Sequence, residues 1–148
     1  MAGNHVNLVK LCVGINSVEA LLAHRRQKAE QAHKSGQQYL STHVTRMWPK
    51  REAELLNGGS LYWVIKGFIA ARQEFLRFEE RAGRDGIRRC ALIMSPTVIR
   101  TQTAARRPFQ GWRYLEVAQS PPDLPTERNL TEDLPVNMLQ ALAEIGLR

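Results

Sequence analysis

The chain lacks nearly every residue pattern that announces a reaction. Its 148 residues hold two cysteines, Cys12 and Cys90, each inside an apolar run and neither with a CxxC partner. The expectation is two buried reduced thiols, not a redox pair, a disulfide framework or a zinc ribbon. The four histidines do not cluster. His24 and His33 are separated by about 900° of helical rotation, so their rings point to opposite sides and cannot share a metal. His5 and His43 stand alone, and neither a metal nor a cofactor is expected. Gly58-Gly59-Ser60 lacks the Gly-Lys-Ser/Thr of a phosphate-cradling loop, and there is no GxGxxG, GxSxG or HExxH. No apolar run approaches the roughly 20 residues of a spanning helix, and MAGNHVNLVK has no basic-then-apolar leader. The expected address is the cytoplasm, with no membrane partner.

What is present is one domain's length of ordinary globular composition, 43% hydrophobic and 24% charged, with a lopsided charge. Residues 1–115 carry 19 basic and 8 acidic side chains, whereas residues 116–148 carry 2 and 6. Sixteen of the 21 basic residues are arginine, whose planar guanidinium holds phosphate bidentately and stacks on rings. A basic, arginine-rich body points to RNA or another polyanion as partner.

Hydrophobic periodicity orders the elements. VNLVKLCV, residues 6–13, reads as a buried strand ended by Gly14. Asn16 and Glu19, at capping-box spacing, open a helix with Val18, Leu21, Leu22, Ala29 and Ala32 as its apolar stripe and Gly36 at its C-cap. Arg25, Arg26, Lys28 and Lys34 give it a solvated basic face. A half-buried strand is expected over 42–48, then a short helix begun by Pro49 and stopped by Asn57-Gly58-Gly59. Strand 61–66 places Leu61, Trp63 and Ile65 on a core face and leaves Tyr62 and Lys66 available on the other. Residues 68–80 fit both helix and strand periods, but Gly83-Arg84-Asp85-Gly86 is a strong hairpin signal, so a strand paired with 87–94 is expected. A short strand or a single turn over 97–101 and a strand over 112–115 follow. Residues 116–134 read as a proline-containing acidic linker, and Val136, Leu139, Leu142 and Ile145 mark a C-terminal helix over 135–147. The expected architecture is a single α+β domain spanning 1–148: a curved, mostly antiparallel sheet of about five to seven strands, or a pseudo-barrel, with about three helices.

All three tryptophans, and Tyr62 and Tyr114, lie in HVTRMWPKREAELLNGGSLYWVIKG (43–67) and RRPFQGWRYL (106–115), interleaved with arginine and lysine. Bases stack on aromatic and guanidinium planes while other cations neutralise the backbone, so single-stranded or irregular RNA needs these residue types on one surface. The candidates are Arg46, Tyr62, Lys66, Arg106, Arg107, Trp112 and Arg113, with Trp48, Lys50, Arg51 and Tyr114 beside them. The competing reading makes the tryptophans core residues of strands flanked by arginines.

These two segments, with Ala70–Gln73, resemble the shared motifs of a family of small bacterial proteins of unknown function, over nearly the whole chain; YWVIKG and PFQGWRYL carry the likeness. The resemblance implies no activity. PKREAELLNGG followed at once by a strand is also similar to the PUA-like superfamily and its ASCH branch, small mixed sheets or pseudo-barrels that commonly contact RNA. Some ASCH-type relatives hydrolyse modified nucleosides with lysine and carboxylate groups. Lys66 is the lysine that would occupy such a pocket, but no clear acidic partner follows it. The leading expectation is a non-catalytic RNA-binding module. The alternatives are an enzyme on a nucleotide or modified nucleoside using Lys66 and His43, and a protein-interaction module with an acidic C-terminal tail.

Overall fold

The computed structural model describes residues 5–125, so the expected helix over 135–147 and the second half of the acidic linker lie outside the described residues. In chain order the elements are β1 (Asn7–Leu11), α1 (Val18–Lys34), β2 (Ser41–Thr45), α2 (Glu52–Leu56), β3 (Ser60–Ile65), β4 (Phe68–Ala82), β5 (Arg88–Met94), β6 (Ile99–Ala105), β7 (Trp112–Leu115) and a 3-10 turn, Val117–Gln119. The fold is α+β, with a mostly antiparallel sheet that remains open and two α-helices among the described residues.

The sheet is arranged about β4. Its N-terminal half pairs with β3 and with β6, its C-terminal half pairs with β5, and all three pairings are antiparallel. β2 adds to β5, β1 lies parallel to β3, and β7 closes antiparallel on β1. The ambiguous run 68–80 is therefore a strand. Ile69, Ala71, Gln73 and Phe75 are buried, and then the buried set skips to Phe78, because the register shifts between Phe75 and Arg77. A bulge of this kind breaks a period-two count and bends the strand.

The turns follow from local chemistry. Lys66 (φ 52°) and Gly67 (φ 84°) both take left-handed φ between β3 and β4, the requirement of a type I′ hairpin turn. Gly86 (φ 77°) serves the β4–β5 hairpin, where the Ile87 N–H donates to Asp85 Oδ1. Helix α1 starts one residue later than the capping-box reading, because Ser17 is the residue whose hydroxyl accepts the Ala20 N–H at 3.0 Å. Its C-terminal end is as expected: Gly36 and Gln37 donate to His33 and Ala32 in a Schellman arrangement.

Two apolar clusters lie on the two sides of the sheet. The larger gathers Leu8, Val18, Leu21, Leu55, Leu61, Trp63, Phe75, Phe78, Leu92 and Met94. The smaller gathers Val9, Tyr62, Val64, Ile69 and Leu115, with Phe109 packed against it. β3 is consequently buried on both faces, which corrects the expectation that Tyr62 would be available: it is 7% exposed. β2 also ends earlier than expected, at Thr45, so Arg46, Met47 and Trp48 lie beyond the strand and are exposed. Pro49 is buried ahead of α2 rather than forming its first turn. The described part of the acidic segment packs against the body. Pro121 is buried, Pro122 and Leu124 bond to the β6 backbone, and Asp123 pairs with Arg72 at 2.8 Å.

Candidate nucleic-acid interface

The two aromatic, basic segments meet. β7 places Tyr114 under the approach to α2, where its hydroxyl accepts the Lys50 N–H at 2.9 Å and the Arg51 N–H at 3.2 Å. The phenol thereby fixes the approach to α2, whose N-cap residue, Arg51, makes no side-chain cap bond. The Trp112 indole donates to the Met47 carbonyl at 3.3 Å and packs edge-on against Tyr114, with ring centroids 4.9 Å apart. Arg51 lies over the Tyr114 ring and pairs with Glu54 and Glu116. This junction is bound to the fold through nearly all its polar groups. Trp112, one of the sequence candidates, is half-buried and holds the 46–51 loop through its bond to the Met47 carbonyl.

Strand geometry divides the candidates. Successive residues of β7 point to opposite faces, so Trp112 and Tyr114 join the larger core while Arg113 projects on the other side, beside Phe109. There the Arg113 guanidinium lies 5.4 Å from the Phe109 ring centroid and that of Arg106 lies 5.7 Å from it. The Arg106 N–H donates to the Gly67 carbonyl at 2.8 Å, which ties this corner to the β3–β4 turn and brings Lys66 alongside. Lys66, Arg107 and Arg113 are exposed; Phe109 is half-buried. Four of the seven candidates therefore gather at one corner, with Tyr62 buried in the cluster beneath it. Arg46 is not part of it and lines a pocket with Trp48, Glu80, Arg88 and Arg89. Phe109, the platform on which the corner is built, was absent from the sequence candidates. Its signal was its position between Pro108 and Gly111 with arginines on either side.

Charge pairing distinguishes this corner from the arginines of β4, β5 and β6. Seven arginines, at 51, 72, 77, 81, 88, 89 and 100, pair with carboxylates. Among the described residues no carboxylate pairs with Lys66, Arg106, Arg107 or Arg113; Arg113 donates only to the Gln110 and Trp112 carbonyls. Four cations without a carboxylate partner thus lie close together here, whereas seven of the arginines elsewhere are paired.

His43 and Lys66, the pair considered for catalysis, sit on different elements, and no contact joins them. His43 packs edge-on against Trp63, ring centroids 5.7 Å apart, on the face opposite to Tyr62. Burial, aided by Lys10 and Arg25, pushes its pKa down to about 4, so it is neutral at pH 7. The Trp63 indole N–H donates to Gln73 Oε1 at 2.9 Å, Arg25 donates to the same oxygen at 3.3 Å, and Gln73 Nε2 donates to the Ser95 carbonyl. Fully buried Gln73 thereby anchors the polar network under α1. The cysteines are both free; burial pushes the Cys90 thiol up to about 11 and raises that of Cys12, so neither is poised as a nucleophile. No group of histidine, cysteine and carboxylate side chains among the described residues could hold a metal ion, and no helix among them is long and apolar enough to cross a membrane.

Residues 8–148 match the family described as a protein of unknown function, DUF1489, and the chain belongs to that family. No curated protein and no solved structure matches.

Proposed function

We propose that this member of the DUF1489 family is a non-catalytic module that binds RNA, or a polyanion of similar character, through the corner built on Phe109. The observation that carries the reading is the pair of guanidiniums, Arg106 and Arg113, over the Phe109 ring, with Lys66 next to the turn that Arg106 bonds and exposed Arg107 next to Arg106 in the chain, none of the four with a carboxylate partner among the described residues. Guanidinium planes stacked on a ring offer both a stacking surface for a base and bidentate donors for phosphate. The likeness of PKREAELLNGG to PUA-like proteins leans the same way.

Replacing Arg106 and Arg107 with glutamate reverses the charge at one half-buried and one exposed position. The fold uses the Arg106 backbone N–H, which the substitution keeps. Binding of a single-stranded RNA near physiological salt should weaken at least tenfold, with the melting temperature nearly unchanged. Unchanged affinity in the folded variant would remove this corner from consideration.

A further inference from the structure

At the opposite end of β4 from the Phe109 corner, Arg46, Trp48, Glu80, Arg88 and Arg89 line a pocket of about 570 Å³. That size falls within the roughly 300–1,000 Å³ of small-ligand sites. Three strands supply it: β2 runs out into Arg46 and Trp48, β4 carries Glu80, and β5 carries Arg88 and Arg89. Its rigid element is Trp48, which is 40% exposed although its indole N–H is held at 2.7 Å by Glu52 Oε1. An exposed tryptophan fixed in orientation presents a preformed flat wall. The guanidiniums of Arg88 and Arg89 are held by Glu80 and Asp85. Arg46 has no carboxylate partner among the described residues.

We propose that this pocket binds one nucleotide unit, a planar base with its 5′-phosphate. The base lies against Trp48 and the phosphate meets Arg46, with the paired Glu80, Arg88 and Arg89 completing the lining. A lone inorganic anion would leave the indole unused, and a neutral ring would leave Arg46 unused; a base carrying a phosphate uses both. Glu80 takes both Arg88 contacts on Oε1, which leaves its Oε2 to accept a hydrogen bond from an exocyclic amino group, and this favours adenine over uracil. The unit can be a free mononucleotide or an unpaired residue within a strand. The site shares none of the residues of the Phe109 corner, so the two readings fail separately.

The test is a titration of the full chain with AMP, followed by tryptophan fluorescence, with uridine monophosphate, inorganic phosphate and a short single-stranded oligoadenylate as parallel arms. The expected result is a saturable quench by AMP that phosphate does not reproduce and that disappears in Trp48→Phe. Affinity should be at least tenfold weaker in Arg46→Ala and unaltered in the Arg106→Glu/Arg107→Glu variant. A quench by the oligoadenylate alone, with the same dependence on Arg46 and Trp48, would assign the pocket to a nucleotide within a strand. Both test side chains are exposed, and unchanged melting of each variant would establish that it folds. Absence of any saturable signal at about 10 mM AMP and with the oligoadenylate overturns the proposal, as does a quench that survives both substitutions.

Discussion

Between pH 6.5 and pH 4, acidification should destabilise this protein in part through one half-buried side chain, His43. Its folded pKa lies near 4, against an ordinary value of 6.5, because the ring is partly buried against Trp63 and faces Lys10 and Arg25. The unfolded chain therefore takes up a proton near pH 6.5 that the native state refuses until about pH 4. Stability from this group is complete above about pH 6.5, falls as the pH drops from 6.5 to 4, and is flat below that window. The full shift corresponds to about 3.4 kcal/mol, at 1.36 kcal/mol per pH unit. Since His43 is only half-buried, solvent recovers part of this, and about 1–2 kcal/mol is expected. Thermal melts of the wild type and of His43→Gln between pH 7.5 and pH 4.5 isolate the contribution, because the remaining titrating groups are common to both. For a chain of this size the wild type should lose about 3–8 °C more than the variant across the window. Parallel curves would refute the argument that His43 is held neutral by the fold.

Two further outcomes follow from particular contacts. A Cβ added at Gly59 would fall well inside contact distance of the Val6 and Leu55 carbonyl oxygens, where the ends of β1 and α2 close on β3; Gly59→Ala should therefore cost about 3 kcal/mol or more in urea unfolding, and a cost below about 1 kcal/mol would contradict the close approach. Tyr114→Phe keeps the ring and removes the acceptor shared by the Lys50 and Arg51 amides. It should lower stability by about 1–2 kcal/mol, with faster amide exchange at those two residues, and unaltered exchange would show that the phenol does not hold the approach to α2.

The β-rich fold was legible wherever one residue type decides the local geometry. Gly83-Arg84-Asp85-Gly86 announced a hairpin, and that hairpin settled residues 68–80 as strand against a helical reading. Gly36 marked the end of α1. What the sequence hid was the second face of the sheet. A strand alternating Leu61, Trp63 and Ile65 with Tyr62, Val64 and Lys66 looks half-exposed, because a tyrosine and a lysine read as polar. β1, β4 and β7 bury Val9, Ile69 and Leu115 on that side and enclose Tyr62 with them. The candidate site was legible as a composition and not as a constellation. Nothing in RRPFQGWRYL says that Trp112 and Arg113 face opposite ways until β7 is paired with β1, and Phe109 gains its meaning only when Arg106 and Arg113 fold over it. Ser17 displaced Asn16 as the helix cap because both residues satisfy the same chemistry and position alone decides.

The central claim is tested most directly by measuring the affinity of the full chain for a single-stranded RNA across a series of salt concentrations, for the wild type and for Arg106→Glu/Arg107→Glu. Four cations in contact with phosphates predict a slope of log K against log salt of about −3, falling to about −1.4 or less when two of them are removed. The account expects that change in slope together with an at least tenfold loss of affinity near physiological salt. Equal slopes and equal affinities for the two proteins would contradict it.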